Sequence, residues 1–224
     1  FEREIKTKLL GKVQSDEKSL VRSGALSALS ANFKDDAFEK IYEKATEDSS
    51  YAVIKEALIA LARQNPEKSL VYCNKFENEE NSKILEAIGF IYSSYGDDTH
   101  HDFFITSSKK IKGFTRISFI NDYEYYLTGD RSANIVEQGV EVLKNLGMND
   151  GSGYVRVFAK QALNNLEEHY TRKDHEYNKA IAKLQKEDPG SQKIQNIITE
   201  QEQATMIRSK ISMAVQELTL MDKK

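Results

Sequence analysis

A short stretch of this chain returns at fixed spacing, and that recurrence limits the possible folds more than any other feature. Ser19–Leu29 (SLVRSGALSAL) is followed thirty-two residues later by Tyr51–Leu61 (YAVIKEALIAL), and far downstream by Val155–Leu163 (VRVFAKQAL). In all three a Val is followed four residues on by Ala and eight on by Leu: Val21, Ala25, Leu29; Val53, Ala57, Leu61; Val155, Ala159, Leu163. An Asp stands five residues before each Val, at Asp16, Asp48 and Asp150. A degenerate copy lies between them, where Ala87, Ile88 and Ile91 take the places of Ala57, Leu58 and Leu61. Such copying marks a repeated supersecondary unit.

The spacing has a physical cause. Residues at i, i+4 and i+8 share one face of a 3.6-residue helix. The central Ala lets a neighbouring helix approach, and the flanking Leu fills the space beside it. The Asp can accept hydrogen bonds from the free N–H groups of the helix start and suits the dipole there. One such unit cannot bury its apolar face alone and must stack on the next copy. The reading is an all-α chain, an α-α superhelix of antiparallel helix pairs.

Taken in order, the pattern predicts helices over about 2–13, 18–31 and 37–46, the second repeat helix to Gln64, and others over 66–76 and 83–94. Asn65-Pro66 separates two of them, since a residue before proline leaves the α region and proline suits a first helical turn. Residues 99–131 break the period. Phe103, Phe104, Phe114, Phe119, Tyr123, Tyr125 and Tyr126 crowd this irregular middle, either as a packed contact between the solenoid halves or as an aromatic-lined groove. A helix from Ser132 or Asn134 to Gly147 follows, then a flexible elbow at Asn149–Gly153.

The last repeat helix continues into a second apolar series, with only Asp188-Pro189-Gly190 to break them. Folding the arms back about Pro189 sets Leu184 against Ile194, Ile181 against Ile197, Leu166 against Ile211 and Leu163 against Val215, at the spacing antiparallel helices need. A long C-terminal hairpin is expected, most open to a break at Thr171–Asp174. Residues 1–151 are thus read as helical repeats with an irregular middle, and 152–224 as the last repeat helix and hairpin of the same structural unit.

Composition narrows the function classes. The 32 Lys and Arg balance 35 Asp and Glu, for a formal charge of -3. A dedicated nucleic-acid binder is normally strongly basic, so no nucleic-acid partner is expected. No apolar run approaches the roughly 18–20 residues of a membrane span. The chain opens at Phe1 inside a helical pattern (Ile5, Leu9, Leu10, Val13) and is read as a piece of a longer protein.

No chemistry-bearing motif survives inspection. His175-Glu176-Tyr177-Asn178-Lys179 begins like the zinc-protease helix but lacks the second histidine that would place two ligands one turn apart. Asp97-Asp98-Thr99-His100-His101-Asp102 is dense in ligand types, yet acids at a helix start are ordinary capping chemistry. Cys73 sits at an apolar helix position and reads as a small buried hydrophobe. Lys109-Lys110-Ile111-Lys112 reads as solvated surface. Arg22 and Arg156 share a template position, which points to intra-repeat ion pairs. No catalytic, cofactor-binding or metal residue is therefore assigned.

The template Asp-x-x-x-x-Val-Arg-x-x-Ala-x-x-x-Leu, as in Asp16…Leu29 and Asp150…Leu163, resembles the inner helix of HEAT-type repeats. Short helix pairs, an aromatic irregular middle and an end piece without a catalytic motif together resemble, over about residues 1–170, the C-terminal helical domain of the aminopeptidase N family of zinc metallopeptidases. That resemblance implies a non-catalytic domain shaping or capping a peptide-access cavity. It also implies an upstream catalytic domain as partner and zinc in the parent rather than in this stretch. The alternative is a stand-alone scaffold binding a protein or peptide on its concave, inner-helix surface.

Overall fold

The computed structural model describes residues 1–149, 151 and 153–222. Among these there is no strand. The chain forms α1 (Glu2–Ser15), α2 (Ser19–Asn32), α3 (Phe38–Ala45), α4 (Tyr51–Gln64), α5 (Pro66–Asn74), α6 (Ser82–Tyr95), α7 (His101–Lys110), α8 (Thr115–Leu127), α9 (Ala133–Met148), α10 (Tyr154–Glu187) and α11 (Gln192–Met221), with a 3-10 turn at Asp98–His100. The protein is all-α, as the periodicity predicts. Asp150 and Ser152, the template acid of the last copy and the expected start of its segment, lie outside the described residues.

The helices fall into two compact units. The first comprises residues 1–96 with 109–115. Here α4 packs against both α2 and α6, while α1 rests on α2, α3 on α4, and α5 on α4 and α6. Template residues make the contact: Ala25, Leu26, Leu29, Val53, Ala57 and Leu61 are buried with Val13 of α1 and with Phe38 and Tyr42 of α3. Flanked on two sides, α4 also buries Ile54, Leu58, Ala60 and Ala62. Asn65 caps α5 by accepting the Lys68 N–H, with Pro66 at the first helical position.

The template acids do not cap the helices directly. Asp16 Oδ1 accepts the N–H of Lys18 at 3.0 Å, and Asp48 Oδ1 that of Ser50 at 2.8 Å. Each bonded N–H belongs to the residue just before the helix, so the acid closes a turn that aims the chain into it. The pairing of Arg22 also differs from expectation. Its guanidinium grips Asp48 with two bonds, Nε–Oδ2 2.9 Å and Nη2–Oδ1 2.8 Å, and donates to the backbone carbonyls of Asp16 and Glu17. The bridge therefore joins successive copies rather than closing within one.

The second unit comprises residues 97–108 and 116–224. Of the rings in the irregular middle, Phe103, Phe104, Phe119, Tyr123 and Tyr126 are buried in its interior, while Tyr125, and Phe114 in the first unit, are exposed. Phe104 lies 4.7 Å, centroid to centroid, from both Tyr123 and Tyr126, and Phe119 closes the cluster. In α9, α10 and α11 each helix packs on the other two. Gly139 and Gly147 permit close approach: a Cβ would come 2.5 Å from the Leu127 methyls at the first, and 3.0–3.2 Å from Leu218 and Ala159 at the second.

The predicted hairpin is present, and α10 passes through Thr171–Asp174 without a break. Ala214, not Val215, is the residue that α11 buries beside Ile211 and Leu218. At 1.5 Å per residue α9 reaches about 24 Å against about 51 Å for α10, so it supports only part of the hairpin. Beyond Tyr170 on one arm and before Ala204 on the other, no residue is fully buried. Tyr177, Ile181 and Leu184 of α10 and Ile194 and Ile197 of α11 are each half-buried there. Asp174 accepts a 2.7 Å bond from Gln201 across the seam.

Candidate functional site

Each residue singled out by its chemistry occupies a structural position. Asp97 Oδ1 accepts the Thr99 N–H at 3.0 Å and lies 2.9 Å from His100 Nδ1, a capping arrangement for the 3-10 turn. His101 turns inward, with Nε2 2.7 Å from the Tyr123 hydroxyl and its ring parallel to that of Tyr126. Burial depresses its basicity against the opposing pull of Asp102 and Asp98. Tyr126 donates to the Asp97 carbonyl at 2.7 Å, and its phenol is pushed up to about 12 by burial. This dense cluster thus ties the turn to the aromatic interior.

Cys73 is fully buried, and burial pushes its thiol well above the ordinary range, which keeps it from acting as a thiolate. His175 and Glu176 are exposed on α10, while His169 is half-buried and its basicity is lowered by burial. In the basic run Ile111 is buried while Lys109 and Lys112 are exposed. Among the described residues no three His, Cys, Asp or Glu side chains converge as a metal site would require.

In the first unit a groove of about 790 Å³ runs between the C-terminal end of α1 and α3. Val13, Ile41 and Ala45 supply the apolar floor, and Lys40, Lys44 and Glu47 stand along the rim. The inner wall is the Arg22–Asp48 bridge with Asp16.

That wall is electrostatically set. The hydrogen-bonded Arg22 holds the Asp48 carboxyl below its usual range, and Lys12, 2.7 Å away, does the same for Asp16. Both acids stay ionised through neutral and mildly acid pH. The opposite layer, α2, α4 and α6, is stitched by Lys55–Glu86 at 2.7 Å and by Arg63 donating to the Ser30 hydroxyl at 2.8 Å. The sequence identified Asp16, Arg22 and Asp48 as capping or pairing residues, and Lys40, Lys44 and Glu47 carry no motif that would have flagged the groove they share.

A second groove, of about 410 Å³, lies in the other unit between α9 and α11, with Glu137, Glu141, Lys144, Lys210, Met213 and Glu217 around it. Neither groove holds a nucleophile beside a base, the minimum for acid–base or covalent catalysis. In comparisons with protein-family models, curated proteins and solved structures, the chain has no match.

Proposed function

We propose that this chain is a non-catalytic helical module that holds a short segment of another polypeptide in the groove between α1 and α3. The observation that carries the reading is the groove's construction: an apolar floor for one or two side chains, beside a charged wall whose members already hold each other in place. Pockets of a few hundred cubic ångströms with a mostly apolar lining and few oriented polar groups are the usual form of a recognition site. A rim bearing both Lys and Glu suits the mixed polarity of a peptide. The test is to pan a displayed random-peptide library on the wild-type chain. Selected peptides should lose at least about tenfold in affinity, roughly 1.4 kcal/mol, on Ala45→Arg, which fills the floor, while far-ultraviolet circular dichroism stays unchanged. Peptides indifferent to Ala45→Arg, or a library that yields none, would refute it.

The resemblance to the aminopeptidase N family supplies a more specific setting for the same module. There the chain serves as the helical domain that shapes a peptide-access cavity, with zinc and the catalytic residues belonging to an upstream domain. Its support is the layout of the helices and the lack of a catalytic arrangement. A His-Glu-x-x-His segment a few hundred residues upstream in the parent reading frame selects this setting, and a parent without one eliminates it.

A further inference from the structure

We propose that α11 carries a self-association surface, on which two copies of this chain pair antiparallel about a twofold axis at Met213. Three large apolar residues lie along the solvent side of α11 at intervals of seven: Met206, Met213 and Leu220, at 58%, 58% and 59% exposure. The opposite side is already committed to the unit's interior through Ala204, Ile207, Ile211, Ala214 and Leu218. A seven-residue apolar interval is the repeat of a helix–helix seam, and here it faces outward. Methionine suits such a surface, since its flexible thioether adapts to the surface opposite.

The charges beside the stripe identify the occupant. Lys210 and Glu217 each stand four residues after a methionine of the stripe. With a twofold axis at Met213, Met206 of one copy lies against the partner copy's Leu220, and Lys210, opposite the partner copy's Gln216, reaches its neighbour Glu217 about 1.5 Å further along the helix. Symmetry makes the reciprocal pair as well, as an isologous contact requires. Parallel pairing instead sets Lys210 and Glu217 against the neutral Thr205 and Ser212. The stripe is therefore complementary to itself in one orientation only.

Neither charge is locked away. Lys210 bonds Glu137 at 2.5 Å and Glu217 lies 3.4 Å from Lys144, yet their side chains keep about half of their exposure, 51% and 43%. Such solvated pairs set orientation more than strength. The groove between α9 and α11 opens beside Met213 and gives the partner copy's Met213 a place to enter.

From Met206 to Leu220 the stripe runs about 21 Å, shorter than a standard interface, so a weak dimer is expected, with Kd on the order of 10–100 μM.

The experiment uses the whole 224-residue chain in sedimentation equilibrium across that range, with cysteine scanning to read the orientation. The native Cys73 is fully buried and stays out of the reaction. Under mild oxidation Met213→Cys should give a disulfide-linked dimer. Met206→Cys and Leu220→Cys should each form no disulfide-linked dimer alone and should cross-link when mixed. Glu217→Lys should abolish association, and Lys210→Glu combined with Glu217→Lys should restore it. A chain that stays monomeric throughout, Met206→Cys cross-linking to itself, or association indifferent to Glu217→Lys would overturn the proposal. The cysteine series decides orientation even if a charge variant proves unstable.

Discussion

Leu58 gives the sharpest measure of how tightly the first unit is packed. It is fully buried on α4, the helix held between α2 and α6. Leu58→Ala deletes three carbon atoms, a transfer loss of about 2.4 kcal/mol at about 0.8 kcal/mol per methylene. With neighbours on several sides the walls have little room to collapse. A residual cavity of roughly 60 Å³, at about 24 cal/mol per Å³, adds about 1.5 kcal/mol. The expected destabilisation is therefore about 3–4 kcal/mol. Leu20→Ala makes the same chemical change on α2 where the side chain is 79% exposed, and should stay within about 0.5 kcal/mol. Urea titration followed by circular dichroism reads both, the midpoint moving for Leu58→Ala with its slope preserved. Equal shifts for the two variants would show that the buried face has been misassigned.

Four further outcomes follow from the geometry. His101 is held neutral by burial, so on acidification the unfolded chain takes up its proton first. Its contribution to stability is full above about pH 6.5 and declines as pH falls toward the depressed native value, and His101→Gln should flatten that decline in melting temperatures taken from pH 7.5 to 5. Glu124 runs the other way: burial raises its carboxyl despite a 3.0 Å bond from Asn165, so Glu124→Gln should stabilise the chain at neutral pH and lose the advantage near pH 4. In a double-mutant cycle, Arg22→Gln and Asp48→Asn should together cost less than the sum of the two singles, with a coupling that shrinks in high salt. Finally, an added Cβ at Gly24 meets nothing within 4 Å, so Gly24→Ala should stabilise by about 0.5–1 kcal/mol, whereas Gly139→Ala collides with Leu127 and should lower the urea midpoint.

Helix positions and the buried template face were legible in the sequence because both depend on local periodicity. Ala25, Ala57 and Ala159 are all buried, and Asn65-Pro66 separates α4 from α5 as proline geometry requires. What escaped depends on relations that periodicity does not carry. Spacing places Arg22 on a helix face but does not say which of several acids it will reach. Ala214 and Val215 are neighbours about 100° apart on a helix, and packing against α9 and α10 decides between them. The polar gap at Thr171–Asp174 does not interrupt α10, since a solvated helix tolerates polar residues that lack Pro or Gly. His101 sits among acids in sequence but inside a cluster of rings in space. The groove between α1 and α3 is built by residues from two helices and the turns beside them, which no single residue announces.

The Arg22–Asp48 clasp gives the array a direction. The link draws its base from the first copy and its acid from the second, and the second copy, with Ile54 at the arginine position, passes no such link onward. Arg156, at the equivalent position in the last copy, finds its acid 66 residues away in Asp222, just past the end of α11, at 3.2 Å. Trimming that final turn would therefore be felt at the root of α10, where Lys160 shares the same carboxylate.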